Sequence, residues 1–303
     1  MKTVLITGAS GFLGRSIFSE IKDKFRTITV GRNFFGTSDQ HFFFDFSTTA
    51  SIHFPDTDYV IHCASKAHIV PQNDEEAMDF FITNVEGTRN LLHSLEHNES
   101  LSKFVYISSV AVYGLINAVN VNEDAALLAI DPYGKSKIDA EKLISDWCAK
   151  KGIDLYIFRL PLIAGKQAPG NLGLMVEGIK AGRYFSIGKA KAKKSMVLAD
   201  DLAIFLSSLE GPPGIYNLTD GCHPSFHELE SKILNFYKKK RLLSIPFIVA
   251  KVLALAGDLL GNKFPINTTK LKKITSSLTF DDSKAKALLK WNPREVLKGW
   301  EIE

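Results

Sequence analysis

The chain has 303 residues, 45% hydrophobic and 23% charged, enough for one large or two modest buried cores. A formal net charge of +4 is too mild for a nucleic-acid binder and suits an anionic small-molecule substrate. Cys63, Cys148 and Cys222 lie far apart without metal-ligand spacing, so no metal is expected and they read as reduced thiols of a cytoplasmic protein.

Residues 2–7 form an apolar strand at the very start, so no signal peptide is expected. The strand runs into Gly8, Gly11 and Gly14, and an amphipathic helix follows over about residues 11–24. Strand, glycine turn and helix are the context of a dinucleotide-binding loop. Backbone N–H groups there approach a pyrophosphate at the positive end of the helix dipole, and Gly14 allows helix and strand to pack closely. Residues 26–30 form a second strand that ends at Gly31, Arg32 and Asn33. An acidic residue at this place would grip the ribose hydroxyls of NAD; Arg32 instead can pair with a 2′-phosphate, which points to NADP(H), with NAD(H) as the alternative.

A third strand over residues 41–46 carries Asp45 near its end, and a fourth covers residues 58–64. A long helix is expected over residues 74–96. The fifth strand, residues 103–109, sets Ser108 and Ser109 at its C-terminal end, where open α/β sheets bind ligands. Residues 117–130 lack periodicity and read as a loop. Asp131 caps a helix over residues 132–150 that begins at Pro132. Tyr133 and Lys137 then lie one turn apart on one face, and an ammonium beside a phenol pulls its pKa from about 10 toward neutrality. That pair is a workable proton-transfer device. Residues 153–160 form a sixth strand. The alternation of strand and helix implies an α/β fold with a parallel sheet covered on both faces.

Two stretches of the second half stand out. Lys189, Lys191, Lys193 and Lys194 form a basic cluster, while Lys238 to Arg241 read as a solvated face. Residues 245–260 are strongly apolar but too short to span a membrane; they read as a buried or partner-facing helix, with a membrane-surface contact as the alternative.

Taken together the motifs resemble the extended short-chain dehydrogenase/reductase family, the nucleotide-sugar epimerase, dehydratase and reductase group. They are the opening Thr7 to Gly14 loop, Asp45, His62-Cys63-Ala64, Asn84 to Thr88, Ser108-Ser109 with Val112-Tyr113-Gly114, Tyr133 with Lys137, and Arg159-Leu160-Pro161. The ending around Phe280 to Ala285 and Leu288 to Pro293 also fits. The resemblance implies a Rossmann-type doubly wound parallel sheet with a smaller C-terminal α/β substrate-binding domain. Residues 1–163 and 195–220 would hold the cofactor, and residues 164–194 and 221–303 the substrate.

By the same resemblance Ser109, Tyr133 and Lys137 are catalytic, with Tyr133 the acid/base. Gly8, Gly11, Phe12, Leu13, Gly14, Arg32, Asp45, Phe46, Cys63, Ala64, Asn84, Ser108, Tyr133, Lys137 and Pro161 contact the cofactor. Ser109, Asn171 and Lys194 contact the sugar or its diphosphate, and a homodimer is implied through residues 74–96 and 132–150. Dehydratases of the group follow the catalytic hydroxyl with Asp-Glu; Val110-Ala111 stand here instead. The expectation is therefore an NADP(H)-dependent reductase of a nucleotide-linked 4-keto sugar. The alternatives are an NAD-dependent 4-epimerase of a UDP-sugar and a catalytically silent nucleotide-binding regulator.

Overall fold

The computed structural model describes every residue except 35, 49–50, 68 and 261–265. The chain opens with β1 (Thr3–Thr7), α1 (Phe12–Ile21), β2 (Arg26–Gly31), β3 (Gln40–Phe43) and β4 (Tyr59–His62). Next come α2 (Asp74–Phe81), α3 (Gly87–Ser94), β5 (Lys103–Ser109), β6 (Ala118–Val121), α4 (Pro132–Lys151) and β7 (Asp154–Leu160). β8 (Leu162–Ala164), α5 (Gly170–Lys180), β9 (Phe185–Ile187), β10 (Met196–Leu198), α6 (Ala199–Ser207) and β11 (Gly214–Asn217) follow. The chain ends with α7 (Phe226–Phe236), β12 (Leu243–Ile245), α8 (Phe247–Leu260), α9 (Thr268–Thr275), β13 (Leu278–Phe280), α10 (Ser283–Leu289) and α11 (Val296–Gly299).

Seven strands pair in parallel in the order β11-β7-β5-β4-β1-β2-β3. The order reverses at β1, and the crevice beyond the strand C-termini at such a switch point is where open sheets bind ligands. Strand alternation sorts the apolar side chains into two cores. Val4, Ile6, Val105 and Phe158 pack with Ile17 of α1 and Leu202 of α6. Leu5, Phe104 and Ile157 pack with Leu91 of α3 and Ile144 of α4 on the other face. A third core joins α5, α7 and β10 with Val296, Trp300 and Ile302 near the C-terminus.

Several boundaries differ from the sequence reading. β3 stops at Phe43, so Asp45 and Phe46 lie in the loop beyond it. The expected helix over residues 74–96 is split by a π-turn at Ile82–Glu86. Tight packing marks the break: a Cβ on Gly87 would come within 2.7 Å of Phe46. The expected loop at residues 117–130 contains β6, which pairs in parallel with distant β13. Tyr113 stacks on Phe280 behind that ribbon, at a centroid distance of 5.5 Å. The apolar segment forms α8, but it is not buried: Ala250, Ala254 and Gly257 face inward and its large side chains face out. Among the described residues no helix is long and apolar enough to cross a membrane.

Candidate functional site

The glycine loop fits a pyrophosphate. Gly8 has φ +71°, and a Cβ there would sit 2.7 Å from the Ala64 nitrogen; one on Gly14 would sit 2.1 Å from the Gly8 carbonyl oxygen. Only glycine satisfies both approaches. Gly11 caps α1 without any side-chain acceptor, so the N–H groups of Phe12, Leu13 and Gly14 are left for a ligand at the positive end of the helix. Past β2, Arg32 is exposed and near enough to Asp45 to help hold that carboxyl below its usual range, behind the larger effect of hydrogen bonds from Ser47. Phe46 is buried between Gly87 and the His62 ring. The donors and the close backbone approach suit a dinucleotide.

A buried polar chain locks the strand ends beside this loop. Thr88 donates its hydroxyl to the Asn84 carbonyl at 2.7 Å, so at 2.9 Å it accepts from His62 Nε2. His62 Nδ1 then accepts from the Thr7 hydroxyl at 2.6 Å, and Thr7 in turn accepts from the Ala64 N–H at 3.1 Å. Burial, helped by the Lys137 charge, pushes His62 down to about 3, so it is neutral in this role. Asn84, in the π-turn, is likewise occupied by protein. Its amide donates to the Lys66 carbonyl and to Ser136 Oγ, and its oxygen accepts from the Lys66 N–H. Asn84 therefore ties the loop after β4 to α4.

The residues expected to transfer a proton meet where β5 adjoins α4. Asp131 accepts from the Gly134 N–H at 3.0 Å and Pro132 takes the first turn, as the sequence predicts. Tyr133 and Ser109 are both half-buried, and Ser109 is near enough to the Tyr133 phenol to act on its pKa. The expected lowering of Tyr133 is not found. Burial raises the phenol, the neighbouring Ser109 hydroxyl opposes this, and the Asp131 charge adds to the rise. Lys137 points elsewhere: its Nζ donates to the Ile107 carbonyl at 2.9 Å and the Tyr106 hydroxyl at 3.2 Å, 4.7 Å above the Tyr106 ring. Burial pulls Lys137 down to about 8, with Cys63 and Glu141 acting in the opposite direction. Cys63 itself is pushed up to about 12 by burial, so it is a neutral neighbour and no nucleophile.

Ser108 faces the core. Adjacent strand residues face opposite ways, and Ser108 donates to Glu141 at 2.5 Å inside the core. Glu141 also takes a two-pronged contact from Arg159, at 2.7 Å and 3.1 Å, with both side chains over nine-tenths buried. Arg159 Nη1 further donates to the Tyr113 hydroxyl, which donates to Asn217 on β11. Sequence reasoning passed over Glu141, although its spacing, four after Lys137 and eight after Tyr133, puts it on the same helix face.

The remaining expected contacts are more scattered. Pro161 is half-buried between β7 and β8, and Asn171 is exposed on the first turn of α5. Lys194 is half-buried and lowered to about 8, by burial first and then by the charge of Lys273 on α9. Lys273 was not anticipated, because its partner lies far away in the chain. Two cations held this close, one of them partly desolvated, favour an anion between them.

Comparisons with known proteins agree with this geometry. The model of the NAD dependent epimerase/dehydratase family matches residues 4–218. Over 216 residues the chain is 28% identical to the N-acetyl-alpha-D-glucosaminyl-diphospho-ditrans,octacis-undecaprenol 4-epimerase of Escherichia coli O157:H7. That match covers 68% of this chain and 65% of the relative, so it spans just under two thirds of that protein. The UDP-glucose 4-epimerase of Vibrio cholerae is 24% identical over 313 residues, covering 98% of this chain and 92% of that one. The fold of the Bacillus cereus UDP-glucuronic acid 4-epimerase in complex with NAD superposes with a TM-score of 0.74 at 18% identity, over 98% of this chain and 95% of that one. With the family model covering the whole seven-stranded sheet, this chain belongs to the NAD-dependent epimerase/dehydratase family.

Proposed function

We propose that this enzyme is an NAD-dependent 4-epimerase of a diphosphate-linked hexose. One observation carries the reading: Ser109 at the end of β5 and Tyr133 on the first turn of α4 lie beside one another at the C-terminal edge of the sheet, with no carboxylate following Ser109. The similar proteins named above are 4-epimerases of sugars carried on a diphosphate, which favours this reaction over ketosugar reduction.

The Gly8 to Gly14 loop and the first-turn amides of α1 would hold the NAD pyrophosphate, with Asp45 at the adenosine end. What NAD supplies when bound is reversible storage of a hydride taken from the sugar carbon. Tyr133 moves the accompanying proton. Its phenolate takes the proton from the sugar hydroxyl on oxidation, and the phenol so formed returns it to the same oxygen on reduction. Ser109, beside the phenol, lowers its pKa and so favours the phenolate needed in the first half. Lys194 and Lys273 face the diphosphate. Residues 1–163 with 195–220 serve the cofactor and the rest serves the sugar. Met78 and Phe81, exposed on α2, support self-association through α2 and α4.

A second reading stands on Arg32. The end of β2 offers a cation where NAD binders carry an acid, so the protein would draw on NADP(H) and reduce a 4-keto sugar in one direction. Cofactor dependence separates the two. An epimerase copurifies with NAD and interconverts UDP-glucose and its 4-epimer, or their N-acetylated forms, without added cofactor. A protein that copurifies with none, and turns over a 4-keto sugar only when NADPH is added, overturns the epimerase.

A further inference from the structure

Helix α8 breaks the usual rule for a surface helix. Its inward stripe is made of small residues, Ala250, Ala254 and Gly257, set against Leu271 of α9, Ile187 of β9 and Ile245 of β12. The outward faces carry Phe247, Ile248, Val249, Val252, Leu255, Leu259 and Leu260, with Ile248 76% and Leu259 90% exposed. Lys251 and Asp258 are the helix's only charges. A contiguous apolar ridge of this kind marks an interaction surface.

The surroundings decide what it meets. Residues 238–273 hold nine lysines and arginines against one aspartate, in a chain whose overall charge is only +4. Lys238 to Arg241 are exposed just before β12, which leads directly into α8. Lys272 and Lys273 are exposed on α9, the helix packed beneath it. At the root of α8, Gly188 lies against Phe247, and a cavity of about 760 Å³ opens there, lined by Lys189, Lys191, Lys193 and Arg241. A second copy of this chain fits poorly, because two such cationic regions would repel across the contact. A protruding apolar ridge bordered by cations matches an anionic bilayer surface, in which the apolar side chains enter the acyl boundary and the lysines meet the headgroups.

We propose that α8 docks this protein on an anionic phospholipid surface, lying in the plane of the interface without crossing it. The docking is independent of the reaction performed at the sheet edge. Lys251 reaches the headgroups along its own alkyl stem. Sodium chloride weakens the attachment, since the cations act within a Debye length of the surface.

The test is cosedimentation of the full chain with vesicles of phosphatidylcholine containing roughly 30% phosphatidylglycerol, beside pure phosphatidylcholine vesicles. The anionic vesicles are expected to carry the protein down, and the neutral ones to carry at least about tenfold less at equal lipid. The triple variant Ile248→Glu, Val252→Glu, Leu259→Glu should lose at least about tenfold in binding with an unchanged melting temperature. Should that variant fold poorly, Lys238→Glu with Lys239→Glu and Lys240→Glu, all exposed and outside the catalytic group, should lower binding to anionic vesicles only. Protein that stays in the supernatant at about millimolar lipid overturns the proposal, as does binding that neither variant reduces. A concentration-dependent dimer dissolved by the triple variant, with no vesicle binding, overturns it in favour of a second copy.

Discussion

Helices α4 and α8 invert the ordinary distribution of polarity in opposite directions. α4 carries Ser136, Lys137 and Glu141 into the interior, where each has protein partners. α8 turns its large apolar side chains outward and buries only alanine and glycine. A charge inside is costly unless paired, and an apolar ridge outside is a liability unless covered. Both helices therefore depart from the folding optimum where something other than folding is asked of them. For α4 the demand under the proposed function is chemical, since its first turn carries Tyr133. For α8 the demand comes from outside the molecule.

The largest effect expected on the α4 side is chemical. Tyr133→Phe removes the proton carrier and should cost about 10³-fold in sugar interconversion, with the melting temperature of the wild type retained. A loss under about tenfold would remove Tyr133 from the reaction. Glu141→Ala comes next. It strands the Arg159 guanidinium in the core and should destabilise by about 3–5 kcal/mol in denaturant unfolding. Replacing both partners by apolar residues, Glu141→Leu with Arg159→Met, should recover most of that loss. A single variant within about 1 kcal/mol of wild type would show that the pair is not sealed from water.

How far the sequence announced these departures differs between the two helices. Asp131, Pro132 and the Tyr133–Lys137 spacing are local, so the start of α4 and its inner face were legible. So was the glycine loop, whose tight approaches leave no alternative residue. The π-turn at Ile82–Glu86 was not, because one extra residue in a turn leaves the apolar period almost unchanged. The β6–β13 ribbon was missed because its strands are four and three residues long and about 160 positions apart. Lys137 was placed correctly and its partner wrongly: helical spacing brings it to the Tyr133 face, but the Ile107 carbonyl and Tyr106 hydroxyl hold its ammonium. For α8 composition left a buried, a partner-facing and a membrane-surface helix open. An apolar run reads as a core helix, and only the packing shows that its small residues alone face inward.

Lys137 gives a pH test of the buried polarity. Its folded-state pKa of about 8 lies below that of an unfolded lysine, about 10.4. Between these values the unfolded chain holds a proton that the folded chain has released. Stability from this group therefore rises as pH climbs through that window and is lost as pH falls back through it. Lys137→Met abolishes that dependence. The difference between the unfolding free energies of wild type and variant should shift by roughly 2 kcal/mol between about pH 7 and pH 9.5, in favour of the wild type at the higher pH. Taking the difference cancels the contributions of the other buried titrating groups, among them Lys194 and Cys148. A flat difference would place the Lys137 ammonium in contact with water.

The smallest effect belongs to α8 and discriminates most finely between its two sides. Ile248→Ser alters a side chain that is already 76% exposed, so unfolding in vesicle-free buffer should change by less than about 0.5 kcal/mol. One and a half turns on, Ala254 is fully buried. Ala254→Leu must force its methyl groups between α8 and Leu271, and overpacking of that kind costs about 1–3 kcal/mol. An ordinary amphipathic helix gives the opposite ranking, since there the large residue is the one holding the helix down. If Ile248→Ser proves the more destabilising of the two, the apolar face of α8 is already covered within the folded chain, and the contrast with α4 collapses.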